Sequence, residues 1–186
     1  LVSQGVPAKN ILAVTFTNKA AGEMRERIQK ILKDEHLEYR GEGMFIGTFH
    51  ALGIFILRRH GKEIGVPRRF SIIDEEDSRS ILRRLAGDLE LDPEVYSPAR
   101  LRATLSRLKN ELAYKQYFDE TDARMPYERN IKKIYDAYES YLHTIRGLDF
   151  DDLLVKPVLL LERSQEAASY YSERWRYIHI DEYQDT

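Results

Sequence analysis

Short apolar segments that run directly into helical patterns constrain the fold of this chain more than any other feature. Residues 11–16, ILAVTF, are rich in strand formers, and Ala20, Met24 and Ile28 in the segment that follows keep helical spacing. Residues 44–50, MFIGTFH, repeat this arrangement before a second helical pattern. Because each helix carries the chain back to the edge of the sheet where a strand starts, the alternation favours parallel strands.

Strand signals vanish between residues 75 and 146, after a third apolar segment, FSII, at 70–73. Apolar stripes at helical spacing take their place and predict helices with a core of their own. The stripes contain Ile81, Leu82, Leu85 and Leu89, then Leu101, Leu105, Leu108 and Leu112, and then Ile131, Ile134, Tyr138, Leu142 and Ile145. A strand pattern returns in YIHI at 177–180.

We therefore expect an α/β fold in which a parallel sheet carries an inserted, all-helical subdomain. The predicted limits are 1–73 for the first part of the sheet domain, 74–146 for the helical insert and 147–186 for the segment that returns to the sheet. LDFDDLL, at 148–154, opens a helix within that return segment.

The composition of the 186 residues excludes several classes of protein. With no cysteine, the chain cannot form disulfides, zinc sites with cysteine ligands or thiol nucleophiles. A formal net charge of −2 excludes a uniformly basic surface for nucleic acid but leaves local basic patches open. No apolar run approaches the roughly 18 residues of a membrane span, and no signal peptide is visible, so we expect a globular, cytoplasmic protein. Because the chain starts without Met and ends directly after a cluster of acids, we also expect it to be part of a longer protein.

Two carboxylates follow the last predicted strand, in YIHIDE at 177–182. Open α/β sheets bind ligands in the crevice at the carboxyl ends of their strands, which is where we expect Asp181 and Glu182 to lie. In nucleotide hydrolases one such acid holds Mg²⁺, and a second orients or deprotonates the attacking water. The alternative is that both acids are solvent-exposed residues at the end of a strand and have no catalytic role.

A nucleotide hydrolase also needs a phosphate-binding loop of the form G-x-x-x-x-G-K-[ST], and the chain contains none. Gly61 is the one glycine followed by lysine, and Glu63 comes next where the pattern requires serine or threonine. Two explanations stay open: the function is a different one, or the loop lies before Leu1.

Three stretches occur in the order that a known family shows. They are ILAVTFTNKAAGEMRERI at 11–28, GTFHALGIFILRR at 47–59 and YIHIDEYQDT at 177–186. Together they closely resemble motifs Ia, Ib and II of the UvrD/Rep/PcrA group of superfamily 1 DNA helicases, and LDFDDLL resembles the segment at the exit of that group's helical insert. Recombination nucleases of the RecB/AddA type share looser versions of the same motifs.

The resemblance implies a partial RecA-like domain of the P-loop NTPase fold, with the phosphate-binding loop upstream of the first motif. It implies an ATP-dependent DNA helicase that uses ATP and Mg²⁺, moves 3′ to 5′ on single-stranded DNA and separates duplex at a junction in repair or replication. Since the loop is missing, we expect these 186 residues alone not to hydrolyse ATP. The alternatives are a stand-alone DNA- or protein-binding module with a dead nucleotide site, and part of a helicase–nuclease.

At the nucleotide, the resemblance assigns Glu182 as the catalytic base and Asp181 as the residue that coordinates Mg²⁺ through water. It places Gln184 and Asp185 in contacts around the nucleotide. Carboxylates suit these roles, because Mg²⁺ prefers oxygen ligands and a second acid near the γ-phosphate can position water. For Asp185 the alternative is that it caps the next turn.

At the DNA, the resemblance assigns the two turns that link a strand to a helix. The residues concerned are Phe16, Thr17, Asn18, Thr48, Phe49 and His50. An aromatic ring can stack on a base, and hydroxyl, amide and helix N–H groups can hold a phosphate. Structural explanations stay open beside these roles: Phe16 can belong to the core, Thr17 can cap a helix, and His50 can pack at a helix start.

Two further groups leave more than one explanation open. LDFDD carries Asp149, Asp151 and Asp152, which favour a helix cap with acids in the first turn; the alternative is a nuclease metal site. The helical insert, which faces duplex DNA in the family, carries the cations Arg83, Arg84, Arg100, Arg102, Arg107 and Lys109. The sequence leaves open which of these cations touch DNA.

Overall fold

The computed structural model describes residues 1–37, 43–111 and 125–182. The chain divides into two compact units, one made of Leu1–Ile56 with Leu159–Thr186 and the other of Leu57–Val158. We refer to them as the sheet unit and the helical unit. No helix within the described ranges is both long enough and apolar enough to cross a membrane. The division at residues 73 and 146 that the sequence favours stays a prediction.

Parallel strands form the centre of the sheet unit. Among the described residues, β1 (Ile11–Thr15) lies between β2 (Phe45–Thr48) and β5 (Tyr177–Ile180), and both pairings are parallel. Val14 is in register with Gly47 on one side and with Ile180 on the other. All of β1 is buried, as expected of a central strand in a parallel sheet. The predicted parallel sheet is therefore confirmed.

Helices follow the first two strands as the sequence predicts. Helix α1 (Asn18–Asp34) begins shortly after β1, and α2 (Phe49–His60) begins directly after β2. The Oγ1 of Thr17 accepts a hydrogen bond from the backbone N–H of Ala20 at 3.1 Å, so Thr17 caps α1, which is the structural explanation that the sequence leaves open for this residue. Late in the chain, α7 (Gln165–Arg174) leads into β5.

Three helices pack their apolar stripes together in the helical unit. They are α3 (Glu75–Asp88), α4 (Pro98–Asn110) and α5 (Pro126–Thr144). Most of their shared buried core comes from the stripes that the sequence predicts, and its members are Ile73, Leu82, Ala86, Tyr96, Leu101, Leu105, Leu108, Ile131, Ile134, Tyr138 and Leu142. Of the other stripe residues, Ile145 is exposed and Leu112 lies outside the described residues.

A short parallel pair of strands brackets these helices in the sequence. β3 (Ser71–Ile73) pairs with β4 (Gly147–Asp149), and α6 (Phe150–Arg163) follows β4 directly. The FSII strand is thus confirmed, whereas β4 was missed because its few residues are too short to show a pattern. Gly147 permits close pairing, since a Cβ built on it would lie only 2.9 Å from Cγ1 of Ile73.

A buried lysine joins the helices to this strand pair. The Nζ of Lys109, on α4, lies 2.7 Å from Oε1 of Glu139 on α5. The same ammonium lies 2.8 Å from Oδ2 of Asp149 on β4 and 3.1 Å from Oδ1 of Asp152 on α6. Lys156 adds a second cation, 3.3 Å from Asp152 and 3.7 Å from Glu139. We call these five residues the Lys109 cluster. Its central ammonium links α4, α5, β4 and α6.

We expect the substitution Lys109→Met to lower the free energy of unfolding by about 3–5 kcal/mol, because it removes the cation that pairs with the buried Asp149 and leaves Asp152 with Lys156 alone. Lys132→Met is the matched control. Lys132 pairs with Asp136 at 2.6 Å on the exposed face of α5, and loss of such a pair costs about 0.5 kcal/mol. Urea unfolding followed by circular dichroism measures both variants. Equal losses of unfolding free energy in the two variants would show that the Lys109 cluster stabilises the protein no more than an exposed ion pair does.

Candidate nucleotide and nucleic-acid site

The carboxyl ends of β1, β2 and β5 lie at one edge of the sheet, because the strands are parallel and in register. Thr15 lies opposite Thr48 across β1 and β2. On the other side of β1, the backbone N–H of Asp181 donates to the carbonyl oxygen of Val14 at 3.0 Å. The residues that follow the three strands are therefore brought together at the edge where open α/β sheets bind ligands.

The two turns that the resemblance assigns to DNA contact each other. The ring centroids of Phe16 and Phe49 are 5.2 Å apart, and the rings are inclined at 52°. Phe16 is 41% exposed, so it does not belong to the buried core. Phe49 is half-buried. A partly open aromatic surface of this kind can stack on a base, and the contact with DNA stays a prediction.

Both threonines of these turns bond to the helices that follow them. The Oγ1 of Thr48 accepts a hydrogen bond from the N–H of Ala51 at 3.2 Å, as Thr17 does from Ala20. Thr17 is exposed, whereas Thr48 is only 6% exposed. A hydroxyl that accepts one bond can still donate its own hydrogen, so the exposed Thr17 keeps a donor for a phosphate oxygen. Asn18 is exposed and His50 is half-buried.

The acid pair lies exposed at the end of β5. Neither Asp181 nor Glu182 is enclosed in the protein interior. Glu182 has a φ angle of 54°, in the left-handed region that residues other than glycine adopt rarely. Such conformations turn the chain sharply and are common at functional sites. Gln184 and Asp185 lie outside the described residues.

Protein groups hold the acids of LDFDD. The Oδ1 of Asp149 accepts a hydrogen bond from the N–H of Asp152 at 2.9 Å, which confirms the predicted helix cap. The Oδ1 of Asp151 accepts from the hydroxyl of Ser106 at 3.0 Å and from the amide of Asn110 at 2.8 Å. In the part of the chain that the structure describes, no group of three or more His, Asp and Glu side chains is placed to hold a metal ion.

Lys109, one of the cations of the insert, has a structural role that was not predicted from the sequence. The side chain of Lys109 is 3% exposed, so it is not available to DNA. A signal was present: Leu101, Leu105 and Lys109 are spaced four residues apart, so Lys109 continues an apolar stripe of α4. Arg83 and Arg100, by contrast, are exposed.

Burial and neighbouring charges together shift the pKa values in the Lys109 cluster. Burial alone would lower the pKa of Lys109, but the surrounding carboxylates raise it well above its usual value. Burial would likewise raise the pKa of Asp149, but the ammonium of Lys109 lowers it. Burial raises the pKa of Asp152 to about 6, and the two lysines only partly offset this rise. Three carboxylates face two ammonium groups, so Asp152 is the member that takes up a proton as the pH falls toward about 6.

A sequence profile of the UvrD/REP helicase N-terminal domain family matches residues 1–186, the whole of the chain. The chain belongs to this family. The predicted family and the predicted fold class, a partial RecA-like helicase domain, are thereby confirmed.

Relatives of this UvrD/REP domain are considerably longer than the chain. The ATP-dependent DNA helicase PcrA of Staphylococcus aureus strain Mu50 is 38% identical over 187 residues, which cover 100% of this chain and 25% of the relative. PcrA of Bacillus subtilis strain 168 is 39% identical over 177 residues, 95% of this chain and 23% of the relative. PcrA of Leuconostoc citreum is 36% identical over 176 residues, again 95% of this chain and 23% of the relative. The chain thus spans about a quarter of the length of these relatives.

We expect ionisation of Asp152 to destabilise this UvrD/REP domain as the pH rises from 3.8 to about 6. The folded pKa of about 6 exceeds the ordinary value of 3.8, so the folded state binds more protons in this window. The loss of unfolding free energy is on the order of 2 kcal/mol. Asp149, whose pKa is lowered, has the opposite effect, but only below 3.8.

The substitution Asp152→Asn should remove this contribution, because an amide does not ionise. Urea unfolding at several pH values across the window measures the difference in stability between wild type and variant. Asp136→Asn, at an exposed position of α5, is the control. A difference between wild type and Asp152→Asn that stays constant across the window would contradict the expectation.

Proposed function

We propose that this chain is the part of an ATP-dependent DNA helicase that carries the acid pair for nucleotide hydrolysis and two turns that hold single-stranded DNA. The observation that carries the proposal is the 3.0 Å hydrogen bond between the N–H of Asp181 and the carbonyl of Val14. It fixes the acids one strand away from the turn that begins at Phe16. The names of the relatives, ATP-dependent DNA helicase PcrA, support the same function.

The residues at the end of β5 fit a magnesium nucleotide. Asp181 is exposed, and no cation among the described residues pairs with its carboxylate. Carboxylate oxygen is the ligand type that Mg²⁺ prefers, directly or through its bound waters. Mg²⁺ bound there with ATP would neutralise negative charge on the phosphates. Gln184 and Asp185, from the same motif, are proposed to support contacts around the nucleotide.

Glu182 is proposed as the general base. Its exposed carboxylate can accept the proton of the attacking water, a role that needs a carboxylate rather than an amide. The left-handed backbone at this residue places Glu182 outside the line of β5, so that two successive acids need not serve the same function. This arrangement supports the proposed division of roles between Glu182 and Asp181.

The two turns are proposed to hold the DNA strand. Phe16 and Phe49 offer an aromatic surface for a base, and Thr17 with the first N–H groups of α1 offers donors for a phosphate. Asn18, Thr48 and His50 complete the set that the resemblance assigns. Since β1 ends in one turn and is bonded to β5, a shift of β5 on nucleotide binding is passed to the DNA turn through the backbone.

Three finer points of the proposal rest on the family resemblance. They are movement from 3′ to 5′, unwinding at a duplex junction, and service in DNA repair or replication. A cytoplasmic location is proposed on a different ground, because a chain without cysteine fits a reducing compartment. The expectation that the 186 residues alone do not hydrolyse ATP belongs with them, because the chain lacks the phosphate-binding pattern.

In the full-length protein, we expect Glu182→Gln to lower kcat for ATP hydrolysis by about 10²- to 10⁴-fold, because the amide cannot accept a proton from water. Binding of ATP should persist, since Asp181 is unchanged. Phosphate release and titration with a fluorescent ATP analogue measure the two properties. Glu166→Gln, an exposed acid of α7, is the control and should leave kcat unchanged. A kcat equal to that of wild type would rule out Glu182 as the base.

We expect Phe16→Ala in the full-length protein to weaken single-stranded DNA binding by about 1–3 kcal/mol, because a stacking surface is lost. Fluorescence anisotropy with a labelled oligothymidine measures the affinity. Ile31→Ala is the control, since Ile31 is an exposed apolar residue of α1 at 56% exposure. Unchanged affinity in Phe16→Ala, or an equal loss in Ile31→Ala, would assign Phe16 to packing against Phe49.

A further inference from the structure

A second cleft lies at the opposite edge of the sheet. Its volume is about 670 Å³, within the size range of small-ligand sites. Residues between Gln4 and Asn10, which lead into β1, line one part of it, and residues between Tyr170 and Tyr177, which lead into β5, line the other. Since both strands begin here, the length of β1 separates this cleft from the candidate site by roughly 15 Å.

Hydrogen bonds from a side chain and a turn at a glycine fix the walls of the cleft. The side-chain amide of Asn10 donates to the carbonyl oxygens of Glu173 at 3.2 Å and of Arg174 at 2.9 Å. These bonds tie the entrance of β1 to the end of α7. Gly5 adopts a φ of 89°, which closes a turn in the other wall and which a side chain would strain. Defined interactions within the sheet unit therefore hold the shape of the cleft.

Cations dominate the charge of the cleft. Lys9, Arg174 and Arg176 line it, and Glu173 is the acid among the lining residues. Lys9 and Arg176 are exposed. Within the described residues, no carboxylate forms an ion pair with any of the three cations. Positive charge gathered in a concave site without counterions attracts an anion.

Aromatic rings hold the guanidinium of Arg174 at the wall of the cleft. Its guanidinium lies over the rings of Phe55 and Trp175, at 5.7 Å and 5.8 Å from their centroids. Its Nε is buried and has no hydrogen-bond partner in the described part of the chain. Arg174 therefore contributes to the cleft through its positive charge, while its buried Nε lies out of reach of a ligand.

Aromatic rings complete the lining. Tyr170 and Tyr177 both belong to it, and Tyr177 is 39% exposed. Val6 and Pro7 are the aliphatic members, so the apolar side chains of a peptide would find little to contact. Planar rings beside arginine and lysine suit a ligand that joins a flat base to a phosphate.

We propose that this cleft is a second nucleotide-binding site, which holds the base of one nucleotide on a tyrosine ring and its phosphate at Lys9, Arg174 and Arg176. The nucleotide is either free or part of a single DNA strand. The inference goes beyond the proposed helicase function and does not require it, because the cleft shares no residue with the site at the carboxyl edge.

Photo-crosslinking of the full-length protein tests the proposal. The probes are a short oligothymidine with one 5-iododeoxyuridine and, separately, the free nucleotide 5-iododeoxyuridine monophosphate, and adducts are mapped by mass spectrometry of peptides. We expect an adduct on Tyr170 or Tyr177 with at least one probe. An adduct with the strand alone identifies a strand site, and an adduct with the free nucleotide identifies a nucleotide site. Arg176→Glu should lower the yield about tenfold or more.

Arg163→Glu, a charge reversal at an exposed position of α6, is the matched control and should keep the wild-type yield. Adducts within residues 16–50 report separately on the proposed DNA turns: their loss with the Tyr177 adduct retained would count against the helicase proposal only. Absence of adducts on both tyrosines with both probes overturns the second site. Equal yields in Arg176→Glu and wild type overturn it as well, as does binding of oligoglutamate without any nucleotide adduct.

Discussion

Parallel pairing through β1 is the constraint on which the candidate site depends. β1 is buried along its whole length, and its register with β2 and β5 is held by backbone hydrogen bonds. Because all three strands run the same way, the residues after Thr15, Thr48 and Ile180 leave the sheet at one edge, however far apart they are in sequence. A slip of one residue in the pairing of β1 with β5 would move Asp181 by one residue along the edge relative to Thr15, so this register determines where the acids lie.

The Lys109 cluster shows a different balance of forces. Burying the ammonium of Lys109 and the carboxylates of Asp149 and Asp152 costs several kcal/mol per ion, and close pairing with good geometry does little more than offset that cost. The contribution of the cluster is instead to fix the relative positions of the elements that carry its residues. Lys109 satisfies acids from α5, β4 and α6 at the same time, so these elements can pack in only one arrangement without leaving a buried charge unpaired. An apolar residue at position 109 would not favour this packing arrangement over others.

The charged residues proposed for the sites at the two edges of the sheet have opposite sign. The carboxyl edge presents Asp181 and Glu182, which suit a metal-bound nucleotide, beside an aromatic turn. The amino edge presents Lys9, Arg174 and Arg176, which suit a bare phosphate. Both follow from the way a parallel sheet ends, since each edge gathers loops from several strands and leaves their polar groups toward solvent. The formal net charge of −2 conceals this separation.

Sequence patterns within a few residues determined much of the local structure of this protein. They predict the strands around Val14 and Ile180, the apolar stripes of the helices and a cap at Thr17. Each of these features depends on near neighbours along the chain. The motif order likewise determined the family. Only the tertiary structure decided that Phe16 contacts Phe49, that β4 exists and that Lys109 is buried among acids, since each of these depends on which distant segments pair, and pairing is set by packing across the whole unit rather than by local propensity.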